Sequence, residues 1–409
     1  MNDGRHAPYA YVRRIGADDP VPSPAEFPES PVARVFRQPT MLGLFLPLNA
    51  GGWSASHLPR TTSWDFNYNR NLVRIADELG FDIVFGLSQW LPKGGFGEVL
   101  NGTSLDPFVT MAALATETKN ILLASTVHIL YGPWHPLHLA RAGATLDHIT
   151  NGRWGLNVVT GHRRIEHEMF GGSQIEHDQR YRLADEFVNA LKALWRSDEP
   201  VTFSGKSPWR IKEGFITPKP RFGRPLLISA TGSPAGIDFA ARQSDIVFVT
   251  SPGGGSFEAA RASLGTHTAT VKAAAARNGR TIRVILNPII ICRDTDQEAQ
   301  EYYGAIVAAV EQRNVGGLHN IADTKDFDKR LISDAQAWAK SNDVNSVDAI
   351  AVGGNVRLVG SPQRIVEQLA ALHAEGVDGF HISFFDYLPD LTHFGRTVLP
   401  LMRAAGLRL

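Results

Sequence analysis

The sequence predicts an α/β protein of the (β/α)8 TIM-barrel class with insertions. Three observations predict it. Short, almost continuously apolar runs recur from residue 41 onward, each is followed by an amphipathic segment, and the pair repeats eight times. Runs that are apolar on both faces suit parallel strands covered by helices. Eight such units close a barrel more readily than they fill an open doubly wound sheet. The chain has 409 residues, longer than the roughly 250 typical of a barrel but within the range that insertions reach.

The elements follow in order. In residues 1–38 Pro20, Pro22, Pro24, Pro28 and Pro31 break any helix and the apolar residues lack a period. Residues 1–40 are therefore read as a Pro-rich N-terminal extension and 41–409 as one barrel domain. Residues 41–48 are an apolar run ending in Asn49 and two glycines, the first strand. Asp65 caps a helix with Leu72, Val73, Ile75, Ala76 and Leu79 on its apolar side, and Gly80 stops it. Residues 81–87 are the second strand. A helix over 106–118 has Pro107 in its first turn, and 121–127 is the third strand. A helix over 135–149 closes at the turn Asn151-Gly152, 154–159 is the fourth strand, and 178–196 is a long amphipathic helix. Residues 197–224, interrupted by prolines, read as a short hairpin excursion. Strands at 226–230, 245–250, 283–292 and 378–384 then alternate with helices at 235–242, 257–276, 296–312 and 391–405, and one more helix begins near Pro362. Residues 313–360, rich in Asn, Asp and Gly, fit no repeat. They form an insertion, either a lid over the catalytic end or a surface decoration used in oligomer contacts.

Composition excludes several classes. Lys plus Arg equals Asp plus Glu at 41 each, so no net field steers the chain onto nucleic acid or an anionic membrane. No run approaches the ~18 apolar residues of a membrane span, and the first residues lack a signal-like apolar stretch; the cytoplasm is the expected compartment. The one cysteine, Cys292, lies in an apolar run and reads as a small buried hydrophobe.

A barrel keeps its active site at the C-terminal strand ends. Those ends deliver Asn49, Ser88, Gln89, Thr126, His128, Tyr131, Asn157, Thr160, His162, Thr231, Gly232, Ser233, His381 and Ser383. The set is polar but not acidic. It offers no carboxylate pair for glycoside chemistry, no facial triad, no nucleophile elbow and no Walker loop. Hydroxyls, amides and imidazoles suit an anionic organic cofactor better than a metal. Ala230-Thr231-Gly232-Ser233-Pro234-Ala235-Gly236 is the best phosphate cradle, a glycine-bearing turn leading into a helix; it also reads as an ordinary strand-to-helix loop with Ser233 as N-cap. In Gly161-His162-Arg163-Arg164 the arginines either bind an anion or pair with Glu166 or Glu168. The spacings His135/His138 and His162/His167 lack a completing ligand and read as helix-surface histidines. Trp53, Trp64, Trp90, Trp134 and Phe385 stand near strand ends, as pocket walls or as loop packing.

Four segments resemble the bacterial luciferase-like, two-component flavin monooxygenases: Thr145-Leu-Asp-His-Ile-Thr-Asn-Gly-Arg153, Asn157-Val-Val-Thr-Gly161, His177-Asp-Gln-Arg-Tyr181 and Leu399-Pro-Leu401. Arg60-Thr-Thr-Ser-Trp-Asp65 and Gly132-Pro-Trp134 look most like the dimethyl sulfone branch. The likeness spans about residues 41–405 and includes alkanesulfonate, long-chain alkane and pyrimidine monooxygenases.

The resemblance implies a luciferase-like barrel that oxygenates a small organic substrate with FMNH2 and O2 through a peroxyflavin. The reduced FMN would come from a separate NAD(P)H:flavin reductase, and the enzyme would be a homo-oligomer, dimer or tetramer. It implies that Ser88, Thr126, Asn157, Thr160, His162, Tyr181, Ala230, Thr231, Gly232 and Ser233 bind the cofactor, with Tyr181 and residues 231–233 at its phosphate. The family more often carries Ala-Gly-Ser-Ser at 230–233, so the exact phosphate donor stays open. Asn157, Thr126, Ser125 and His162 are the expected catalytic residues, since uncharged donors hold reactive oxygen without hastening its loss. The active-site cysteine or paired arginines of several members are absent, which points to a neutral substrate, sulfone-like or heterocyclic. The alternatives are an F420- or flavin-dependent oxidoreductase of the same fold and a non-catalytic flavin-binding protein.

Overall fold

Six-residue and shorter apolar runs with no polar face can only be satisfied between two layers of protein, and that is where they lie. The computed structural model describes residues 21–95, 97–205, 208–310, 348, 351–353 and 355–409. Strands β1 (Met41–Leu46), β2 (Ile83–Gly86), β3 (Leu122–His128) and β4 (Trp154–Val159) are each buried almost throughout. A small antiparallel hairpin follows, β5 (Val201–Ser204) with β6 (Arg210–Gly214), where the excursion was expected. Then come β7 (Leu226–Ala230), β8 (Ile246–Val249), β9 (Arg283–Leu286), β10 (Pro288–Cys292), β11 (Val356–Gly360) and β12 (Gly379–Phe384).

Strands β1, β2, β3, β4, β7, β8, β9 and β12 pair in parallel in that order, and β12 returns to β1 through Met41↔Gly379 to Leu44↔Ile382. The barrel is closed, with eight strands. Alternation decides what faces inward. Met41 and Phe45, Ile83 and Phe85, Leu122 and Ala124, Ile246 and Phe248 belong to one interior cluster, while their neighbours pack on the helices.

The helices are α1 (Pro31–Phe36), α2 (Phe66–Leu79), α3 (Pro107–Leu114), α4 (Pro136–Ile149), α5 (Arg164–Met169), α6 (His177–Arg196), α7 (Pro234–Gln243), α8 (Phe257–Arg277), α9 (Asp296–Ala308), α10 (Pro362–Ala374) and α11 (Tyr387–Ala404). Gly80 ends α2 in the left-handed conformation, and among the described residues five α-helices start with proline under a Ser, Asp or His cap, where its missing N–H costs nothing.

Three expectations need correction. The Pro-rich stretch does form a helix: Pro31 is the first residue of α1, and Val32 and Val35 join the interior cluster at the N-terminal end of the barrel. The seventh strand is not continuous over 283–292. It breaks at Asn287, because Pro288 cannot donate to the ladder; β12 pairs with β9 below the break and β10 above it. The upper half carries β11 alongside, in register from Pro288↔Val356 to Cys292↔Gly360. A short helix, α5, occupies what read as a loop. Most of the 313–360 insertion lies outside the described residues. Among the described residues no helix is long and apolar enough to cross a membrane.

Candidate active site

The C-terminal strand ends form a mouth floored by aromatic rings. Phe45, Phe85 and Phe248 surround His381 of β12, which stacks on Phe85 at 4.2 Å and meets the other two edge-on at 5.1 Å. His381 is fully buried, neither ring nitrogen has a partner, and burial drives its pKa well below the ordinary imidazole value. Trp53 closes on Phe45 edge-on at 4.3 Å, and its indole N–H is buried without an acceptor. The other aromatics do not converge here. Trp64 and Trp90 are exposed, Trp134 packs on Phe108 outside the barrel, and Phe385 lies under the Arg60 guanidinium.

Above the floor, β3 and β4 present a fixed polar chain. Thr126 and Asn157 face each other across the ladder. The Thr126 hydroxyl donates to the Gly86 carbonyl at 2.8 Å and accepts from Asn157 Nδ2 at 3.0 Å. A hydroxyl has one proton, so this order sets the amide, and Asn157 Oδ1 is left buried with no partner. Thr126 therefore spends its proton on Gly86, contrary to its expected role as a donor. Ser125 is not part of this group. It falls between inward Ala124 and Thr126, so it faces the helices, where its hydroxyl accepts from the Trp154 indole at 3.1 Å. Ser88 is buried just beyond β2, and Thr160 and His162 stand at the rim after β4, half-buried and exposed.

The second polar group lies where β7 meets α7. Tyr181 of α6 and Thr231 bring their hydroxyls to 3.2 Å of each other. Gly236, in the first turn of α7, sits under both: a Cβ there would lie 1.6 Å from Thr231 Oγ1 and 2.8 Å from Tyr181 Oη, so only glycine fits. Ser233 caps α7 through the Gly236 N–H at 3.2 Å. Ala230 and Gly232 are exposed beside them. Two hydroxyls over a helix N-terminus, with the backbone free to approach closely, suit a phosphate monoester.

The arginines after β4 adopt the paired arrangement. Arg163 meets Glu166 at 3.3 Å and Arg164 meets Glu168 at 2.7 Å. Glu166, expected only as a pairing partner of the arginines, is buried and also accepts from the Tyr131 hydroxyl at 2.6 Å. The pairing was readable from the short spacing; the bond to Tyr131, 35 residues away, had no local signal. Tyr131 in turn requires Gly161, whose φ is +71° and whose Cβ would lie 2.2 Å from the Tyr131 ring. His135 caps α4 and bonds to the Arg210 carbonyl. Among the described residues no group of three or more His, Cys, Asp or Glu side chains could hold a metal ion.

The chain as a whole is similar to known proteins. The chain is 34% identical to an FMNH2-dependent dimethylsulfone monooxygenase of Pseudomonas putida, over 90% of this chain and 96% of that protein. It is 27% identical to a pyrimidine monooxygenase of Serratia proteamaculans, over 89% and 95%. Among solved structures, a long-chain alkane monooxygenase shares the fold with a TM-score of 0.75 at 22% identity, covering 90% of this chain and 92% of that one. Residues 41–379 match the luciferase-like monooxygenases, and the chain belongs to that family.

Proposed function

We propose that this chain is the oxygenating component of a two-component system, using FMNH2 and O2 to oxygenate a small neutral organic molecule. A separate NAD(P)H:flavin reductase would supply the reduced cofactor, and the protein would work as a cytoplasmic homo-oligomer. The observation that carries the reading is the buried, unpartnered Asn157 Oδ1, fixed by Thr126 at the mouth of a luciferase-like barrel. An orphaned buried acceptor costs about 1–3 kcal/mol, and a ligand donor removes that cost.

The residues fit FMN. Tyr181, Thr231, Ser233 and the α7 N-terminus would hold the phosphate, Thr160 and His162 would border the ribityl chain, and Ser88, Thr126 and Asn157 would meet the ring. When bound, reduced FMN supplies the electrons that activate O2. The chain's part is to seat the ring, exclude water with Phe45, Phe85, Phe248 and Trp53, and place Asn157 beside the reacting atoms. A neutral substrate suits this mouth. Three arginines of the catalytic-end loops are already committed: Arg60 to the carbonyls of Gly51, Ser54 and Ser56, Arg163 to Glu166, and Arg293 to Asp390.

Anaerobic mixing with FMNH2, then with O2 and a small sulfone or nitrogen heterocycle, tests the reading. Product formed in step with oxygen uptake is expected; flavin oxidation with no product from either class would refute it. The cradle has its own test. Gly236→Ala should raise the dissociation constant for FMN about tenfold or more, equivalent to ~1.4 kcal/mol, because Thr231 and Tyr181 must move aside. Riboflavin, which lacks the phosphate, should bind both proteins alike. Equal FMN affinities by fluorescence titration would remove the cradle from the phosphate site.

A further inference from the structure

Glu166 joins three catalytic-end loops. It stands in the first turn of α5, and its side chain is only 1% exposed. Its Oε2 accepts from the Tyr131 hydroxyl at 2.6 Å, after β3. Its Oε1 accepts from the Trp90 backbone N–H at 3.1 Å, after β2, and from Arg163 Nη1 at 3.3 Å, after β4. His128 is the fourth neighbour. Its Nε2 lies 3.9 Å from Glu166 Oε2, and its ring stacks on Tyr131 at 4.8 Å and 24°. That separation is too long for a hydrogen bond, yet in a buried site a full charge at this range still orients a neighbouring dipole.

His128 continues the inward series of β3. Ala124 and Thr126 face the interior, and the rung His128↔Val159 lies one inward step beyond Thr126↔Asn157. The side chain is buried, and Nδ1, the nitrogen not paired with Glu166, has no partner. Burial lowers the His128 pKa to about 4, against the pull of Glu166 and with help from Arg163 and His167. Burial pushes the Glu166 carboxyl up, but His128, Arg163 and the Tyr131 hydroxyl outweigh it and hold the group below its ordinary value. At neutral pH an uncharged imidazole therefore faces a carboxylate. A neutral imidazole carries one N–H. With the proton on Nε2 its dipole points at Glu166, and Nδ1 presents a lone pair.

We propose that Glu166 is a positioning residue that fixes His128 as the Nε2–H tautomer, and that His128 Nδ1 accepts a hydrogen bond from an N–H of the bound flavin. The second half rests on reading this mouth as the flavin site; the first half does not. It makes His128 a ligand-contacting residue beside Thr126 and Asn157.

Histidine-selective 15N labelling of the protein without cofactor reads the tautomer directly, with the His128 signals assigned by their loss in His128→Gln. The wild type should show the Nε2–H pattern. Glu166→Gln should shift it toward a tautomer mixture, whereas Tyr131→Phe, which keeps the carboxylate, should not. A purely structural Glu166 would change the melting temperature and leave the tautomer alone. An Nδ1–H pattern in the wild type, or an unchanged pattern in Glu166→Gln, overturns the positioning role. In parallel, His128→Ala should weaken binding of FMNH2, FMN or both by about tenfold under anaerobic titration. Wild-type binding with no change in His128→Ala overturns the contact alone. No FMN binding by the wild type overturns the flavin reading and the contact together, and leaves the tautomer result to stand or fall by itself.

Discussion

Asn157→Ala is expected to keep FMN binding, weakened about tenfold, and to lower kcat/KM for oxygenation by about 10²-fold, with hydrogen peroxide released in place of product. The scale is that of removing one preorganised polar group from a reacting centre, ~2.7 kcal/mol. Two losses combine. The acceptor Oδ1 disappears from a buried position where nothing else replaces it, and Thr126 loses the amide that held its hydroxyl between Gly86 and Asn157. Asn157→Asp separates them: it keeps an acceptor but removes the N–H to Thr126 and adds a charge. Both variants should uncouple, Asp with the greater loss of flavin affinity. Peroxide yield measured against product per O2 consumed is the test. An unchanged ratio in Asn157→Ala takes Asn157 out of the reaction.

The second large effect concerns stability. Arg224 and Asp245 form a two-pronged pair at 2.6 and 2.7 Å, both side chains under 5% exposed, at the N-terminal side of β7 and β8. Asp245 also accepts from the Leu227 N–H at 3.0 Å and faces Arg280 at 3.4 Å. Asp245→Asn should destabilise the protein by about 3–5 kcal/mol, since it strands a buried guanidinium. Replacing both, Arg224→Met with Asp245→Leu, should recover much of the loss. Chemical unfolding reads both; a cost under about 1 kcal/mol for Asp245→Asn would contradict the assignment. The pH dependence follows from the same pair. Burial pushes the Asp245 carboxyl up, but Arg224 and Arg280 outweigh it and hold the pKa at about 2. A group depressed on folding contributes stability above its unfolded pKa near 3.8 and loses it as pH falls through the folded value. About 2 kcal/mol should therefore vanish between roughly pH 4 and 2 in the wild type, and not in the double variant.

The barrel was legible because its signal is collective. Residues 154–159 read as a strand and form β4 over those residues, since an apolar run between a turn and a polar loop has one way to be buried. The break at Asn287 was also legible in principle, because Pro288 forbids a continuous ladder. The site was legible only in part. Ser125 and Thr126 are both small hydroxyl residues at one strand end, and only alternation along β3 sends one to the helices and the other to the mouth. Glu166 was legible as a partner of Arg163, three residues away, but not as a junction: Trp90 and Tyr131 reach it from two other loops, and no local pattern announces a contact made by topology.

The short helix at the bottom has a consequence for stability. Val32 and Val35 pack onto the same interior cluster as Met41, Phe45, Phe85 and Phe248, so the helix extends the barrel's core downward. Trimming either valine to alanine should therefore loosen the layer beneath the aromatic floor and lower the melting temperature, although both lie at the end of the barrel opposite the mouth.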